Sequence, residues 1–169
     1  MTAWVALLRA VNVGGTGKVA MADLKALCEG LGLDQVRTYI ASGNVVFASK
    51  LDGNELRERI EGALLDKYGK PIGVLVREAA ELARVLAANP WPDRPGNRVM
   101  ALFVDAPPTL DGVRHQAGER LALGERVIYI DYAEGMGTSK LVVPASKAGT
   151  ARNMNTVAKL AGMASAIEV

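Results

Sequence analysis

The stretch VRTYIASGNVVFAS, residues 36–49, constrains the fold more than any other part of this chain. Two runs rich in β-branched and aromatic residues flank Ser42, Gly43 and Asn44. Ser-Gly and Gly-Asn supply the positive φ that a tight hairpin turn needs, so the two runs should pair antiparallel.

The segments on either side extend this pattern. Residues 3–10 form a short apolar run closed by Gly14, Gly15 and Gly17, which reads as a strand. Residues 21–31 place Leu24, Leu27, Cys28 and Leu31 at i, i+3, i+4 and i+7, the spacing of a helix with one buried stripe. Cys28 lies on that stripe and reads as core. A second helix is expected over 54–68. Asp52 and Glu55 have capping-box spacing at its start, Leu56, Ile60, Ala63 and Leu64 form its stripe, and Gly69 ends it. Residues 72–77 read as a strand and 78–88 as a helix stopped by Asn89-Pro90.

Beyond the stiff Pro-rich stretch NPWPDRPGN, residues 89–97, the order recurs. Strands are expected at 99–105, 126–131 and 139–143, with helices at 109–121 and 153–163. ALFVDAPPT answers ALLRAVNVG, and RVIYIDYAEG answers VRTYIASG. The expected fold is therefore α+β, with two ferredoxin-like β-α-β-β-α subdomains, largely antiparallel sheets and an internal duplication. Residues 1–88 form the first subdomain, 89–97 the connector and 98–169 the second. The three are expected to form one compact unit, with Trp91 filling the crease between the halves.

Composition narrows the functional classes. The chain has 169 residues, 50% of them apolar, enough for a real core. One cysteine and one histidine leave no intrachain disulfide and no ordinary Cys/His zinc site, so no metal or cofactor is expected. The formal charge is +2 and there is no block of consecutive Lys or Arg, which does not favour nucleic acid as partner. The first apolar run lacks a basic start and is interrupted by Arg9. It reads as a strand, not a signal or membrane segment, and a cytoplasmic protein is expected.

Familiar motifs fail. NVGGTGKV has Asn12 and Val19 where a P-loop needs Gly and Ser or Thr. Gly15-Thr16-Gly17 with Ala20 fits the short dinucleotide fingerprint, but the strand that follows runs into a hairpin, not a parallel crossover. The glycines can still present N–H groups to an anion. Asp105, Asp111, Asp131 and Glu134 have no spacing that joins them, and His115 reads as a surface residue of a polar helix.

Three polar clusters remain. The first is Arg9, Asn12 and Lys18 after the first strand. A half-buried arginine keeps its charge, so it needs a carboxylate or an anionic ligand. The second is Thr38, Tyr39, Ser42 and Asn44 at the hairpin, where turn geometry alone already favours Ser and Asn. The third is TARNMNTVAKL, residues 150–160. Met154, Val157, Ala158 and Ala161 are read as the buried stripe of the last helix, and Thr150 or Asn153 as its cap. Arg152, Asn153 and Thr156 then exceed what capping requires, at a helix end suited to anions.

LLRAVNVGG with Met21 and Leu24, VRTYIASGNVVF and TARNMNTVAKL, in that order, closely resemble the bacterial family called domain of unknown function 1697. The family pattern reads LLRG-x-NVGG and RNW, where this chain has Ala10 and Met154. The resemblance covers nearly the whole chain and implies a duplicated α+β fold; it implies no activity.

The leading functional expectation is binding of a small anionic ligand, a phosphate-bearing metabolite or nucleotide, through Arg9, Asn12, Lys18, Ser42, Asn44, Arg152, Asn153 and Thr156. No catalytic constellation is recognisable. Arg9 and Arg152 are expected to be neighbours with an anion between them. One alternative is a protein-interaction or structural module in which the polar clusters tie the halves together. The other is a single-stranded nucleic-acid binder using Tyr39, Phe47 and Tyr129.

Overall fold

A computed structural model of the chain describes residues 1–12 and 18–169. Among these, the elements are β1 (Thr2–Leu8), α1 (Met21–Gly30), β2 (Asp34–Tyr39), β3 (Asn44–Ser49), α2 (Gly53–Tyr68), β4 (Val74–Glu78), α3 (Ala79–Ala87), β5 (Val99–Phe103), β6 (Arg120–Gly124), β7 (Val127–Asp131), β8 (Thr150–Asn153) and α4 (Met154–Ser165). By contacts the chain divides into Met1–Leu82 with Leu160–Val169, and Ala83–Lys159. This division cuts through α3 and α4, whereas the sequence reading separated 1–88 from 98–169 at the prolines. The Pro-rich stretch falls inside the second unit.

In the first unit the sheet order is β2-β3-β1-β4, antiparallel throughout. The hairpin expected around Ser42-Gly43-Asn44 joins β2 to β3, with Tyr39 opposite Asn44. β1 lies between β3 and β4, so the chain crosses the sheet face twice, once through α1 and once through α2. Alternate residues of the strands meet these helices, as a period of two requires. Trp4, Ala6 and Leu8 of β1, Val45 and Phe47 of β3, and Val74 and Val76 of β4 share a core with Leu24, Cys28, Leu56, Ile60 and Leu64. Helix α2 begins as its sequence indicates: Asp52 accepts the Glu55 N–H at 2.9 Å, and Gly69 closes it in the left-handed region.

The second unit repeats the sheet order, β6-β7-β5-β8, again antiparallel. Two four-stranded sheets with the same strand order make this an α+β fold of two similar subdomains. Its crossovers differ from the first pair. Residues 109–121 do not form the expected helix. Pro107 and Pro108 precede the segment, and His115, Gly112 and Gly118 adopt positive φ. Arg114 also exchanges backbone hydrogen bonds with Val142, at 3.0 and 2.9 Å. That bridge is all the strand character found in 139–143. The fourth strand is β8, with β6 as an unforeseen edge strand. Val113, Leu141, Val143 and Ala145 cover Leu102, Ile128 and Ile130, so irregular segments cover the sheet face that α1 and α2 cover in the first unit.

The last helix buries Met154, Val157, Leu160 and Ala164, while Ala158 is exposed. The stripe thus follows 3-3-4 spacing instead of the expected 154, 157, 158 and 161. Among the described residues no helix is long and apolar enough to cross a membrane.

Cys28 is fully buried, and burial, reinforced by Glu29, pushes its thiol up to about 12. Native protein should react with a soluble disulfide reagent only after unfolding in urea. Cys28→Ala should lower the unfolding free energy from urea titration by about 1 kcal/mol, through lost packing.

Candidate functional site

Arg9, Asn12, Lys18, Ser42 and Asn44 gather at one end of the first sheet. β1 leaves the sheet there. The Leu8 N–H donates to Gly43 O and the Arg9 N–H to Gly73 O, both at 2.9 Å, so the ladder holds β1 on both edges up to Arg9. The backbone then turns through the left-handed region at Ala10 (φ 49°) and Asn12 (φ 56°), and across the sheet end Ile40 (φ 49°) does the same. Non-glycine residues there carry strain that the surroundings must hold, and such positions concentrate at functional sites. Ala10 stands where the family pattern has glycine, and its φ explains that preference.

Asn12 holds this turn. Its Nδ2 donates to Val19 O and to Ala41 O, both at 2.7 Å, and its Oδ1 accepts the Val19 N–H at 2.8 Å. One side chain thereby ties Val19 and the β2–β3 turn to the residues that follow β1. Val11 and Val19 anchor the flanks in the core. The intervening glycines, with Thr16, lie outside the described residues. Asn44 is fully buried and donates to Tyr39 O at 2.9 Å and to Ser42 Oγ at 2.8 Å. Gly43 has φ 88°, and a Cβ there would stand 2.8 Å from Val11 Cγ2 and 2.9 Å from Leu8 Cβ. Arg9 is half-buried with its aliphatic stem against Gly73, where an added Cβ would stand 3.0 Å from Arg9 Cδ. Lys18 is exposed.

Arg152, Asn153 and Thr156 belong to the second unit. Arg152 lies in β8, opposite Ala101 of β5, and not in the first turn of α4 as the sequence suggested. Its Nη1 donates to Thr150 Oγ1 at 2.6 Å and to Ala151 O at 2.9 Å. Burial lowers its guanidinium to about 10, so it remains charged at neutral pH. Asn153 is the cap of α4: its Oδ1 accepts the Thr156 N–H at 2.9 Å. Thr156 is buried.

Sequence reasoning missed a charged cluster in this unit. The buried Asp131 carboxylate meets Arg94 at 3.2 Å and the Arg120 Nε at 3.1 Å, and it accepts the Ala133 N–H at 3.0 Å. Arg120 also lies over the Trp91 ring, 4.7 Å from its centre. Asp105 pairs with Arg126 at 2.9 Å. These acids are 11 to 37 positions from their arginines in the chain, so only the folded chain reveals the pairs.

The family model described as "Protein of unknown function (DUF1697)" matches residues 1–129. The chain belongs to this family. Among solved structures it is similar to the conserved bacterial protein SP0830 from Streptococcus pneumoniae, at 27% identity and a TM-score of 0.79, over 96% of this chain and 98% of that one. No curated protein matches it.

Burial raises the Asp131 carboxyl, but the Arg120 hydrogen bond, the Ala133 N–H and the charges of Arg94 and Arg120 bring it below its ordinary value. A depressed folded-state value means stabilisation that is present above the unfolded value, about pH 4, and is lost as pH falls through the folded one. Asp131→Asn should therefore lose about 2 kcal/mol at pH 7. In urea titrations from neutral to acid pH it should also show a shallower acid-side decline than the parent.

Proposed function

We propose that the protein binds a small anionic ligand, a phosphate-bearing metabolite or nucleotide, at the end of the first sheet where β1 exits. Arg9 and Lys18 supply the charge. Asn12, Ser42 and Asn44 hold the backbone around them. The observation that carries this reading is the coincidence, at one sheet end, of two cationic side chains with three left-handed non-glycine residues braced by the Asn12 side chain. Backbone strain held by dedicated hydrogen bonds costs stability and contributes nothing to the core, which favours a ligand-facing role. In the second unit Arg152, with Asn153 and Thr156 beside it at the start of α4, is proposed as a further anion-facing position. Arginine suits holding phosphate charge better than moving protons, so the reading is of binding and not catalysis.

A structural or interaction module is the second reading. It is favoured by the internal hydrogen bonds that engage Asn12, Asn44 and Asn153. Nucleic-acid stacking loses support: Phe47 is fully buried, and Tyr129 is buried with its hydroxyl donating to Val85 O.

Sodium pyrophosphate, titrated by calorimetry and thermal shift at low ionic strength, separates the two. Anion binding predicts saturable heat and a raised Tm. Arg9→Gln should weaken the affinity about tenfold, the loss of one charge-assisted contact, while Arg9→Lys keeps part of it. Absence of saturable heat in the parent, or an unchanged affinity in both Arg9→Gln and Lys18→Gln, overturns the anion reading in favour of the structural one.

A further inference from the structure

The irregular segments around residues 115–119 and 132–140 enclose a cleft of about 500 Å³ within the second unit. This volume lies in the range of small-molecule sites. Its chemically active lining is His115, Glu119, Tyr132, Glu134, Ser139 and Lys140. The walls are held in unusual backbone conformations: His115 (φ 60°), Gly118 (φ 92°), Ala133 (φ 48°) and Gly135 (φ 112°) are all left-handed. They are also braced from behind. The Gln116 amide donates to Glu119 O at 2.6 Å, and Ala133 O accepts from both Arg94 and Arg98.

Glu119 sets the polarity of the cleft. It is 6% exposed. The Ser139 hydroxyl donates to one carboxylate oxygen and the Ala117 N–H to the other. These hydrogen bonds, Ser139 first, hold the carboxyl below its ordinary value, so it is ionised at neutral pH. Each oxygen retains acceptor capacity. Among the described residues Glu119 forms no ion pair, whereas the nearby Asp131 has two arginines. Burial, followed by the charge of Glu119, raises the Tyr132 phenol, which stays protonated and able to donate. Glu134 adds a second negative charge to the lining, against the single positive charge of Lys140. An anion is disfavoured by both carboxylates. Among the described residues no group of three His, Cys, Asp or Glu could hold a metal ion.

We propose that this cleft is a binding site for a small ligand carrying a primary ammonium group, with Glu119 as the counter-ion and Tyr132, Ala117 and Ala133 lining its aliphatic body. An ammonium brings three donors to a carboxylate already oriented by Ser139 and Ala117, and it neutralises a buried charge that forms no ion pair among the described residues. The proposal is independent of the anion reading, because neither Arg9 and Lys18 nor Arg152 lines this cleft.

The test uses n-butylammonium chloride as probe, with sodium butyrate and n-butanol as charge-reversed and neutral controls, followed by amide chemical shifts of the full chain. Saturable shifts at Ala117, Gly118, Ala133 and Gly135 with butylammonium alone are expected. Glu119→Gln should weaken that binding about tenfold or more. The exposed Lys140→Gln should tighten it about two- to threefold by removing a like charge, and it does not disturb the buried hydrogen bonds. Equal response to butyrate or butanol, no saturable response to butylammonium, or unchanged affinity in Lys140→Gln together with a folded Glu119→Gln overturns the proposal.

Discussion

In the first sheet β1 is hydrogen-bonded along both edges, and much of the remaining structure follows from that. Trp4 to Leu7 are in register with β3 on one side and with β4 on the other, and every residue from Ala3 to Leu8 is buried. Buried peptide groups must find partners, so a strand in this position fixes both neighbours at once. Neither neighbour follows β1 directly in the chain. The connections must therefore cross the sheet face, and α1 and α2 lie there over Trp4, Ala6 and Leu8. β5 holds the same position in the second sheet, between β7 and β8. The shared strand order is what makes the two units similar, although they cover their sheets differently.

The same constraint makes the exit of β1 a special place. The ladder holds the backbone as far as Arg9, and the chain must leave the sheet within a few residues. It does so through Ala10 and Asn12 in left-handed conformations, with the Asn12 side chain hydrogen-bonded to the backbone of Val19 and Ala41. Arg9 and Lys18 are carried at this braced edge. In the second unit Arg152, held in β8, and Asp131, at the end of β7, are likewise set by strand register. The difference is that Asp131 meets Arg94 and Arg120, which makes that cluster a tie within the unit.

The first unit was readable from sequence because its signals are local. A hairpin turn, two stripes of helical period, a capping box and a C-terminal glycine each declare themselves within a dozen residues. The second unit was less readable because its crossovers are held by tertiary contacts. The polar run 109–121 resembles a surface helix in composition, but its Arg114–Val142 pairing depends on a segment far along the chain. β8 is only four residues long and runs directly into α4, so Arg152 looked like part of a helix turn when it is a buried strand residue. In the sequence Asn12 and Asn44 read as polar groups at loop and turn positions. Sequence could not disclose that their amides bind the backbone of neighbouring turns. Glu119 had no signal beyond its type, since its partners Ala117 and Ser139 meet it only after the loops fold.

The account's central claim is that the braced exit of β1 presents Arg9 and Lys18 to an anion. A crystal soaked in pyrophosphate tests it most directly. The account predicts a bound anion within hydrogen-bond distance of the Arg9 guanidinium, with the Asn12 hydrogen bonds to Val19 and Ala41 intact. A well-ordered Arg9 with only solvent around it at saturating pyrophosphate would contradict the claim.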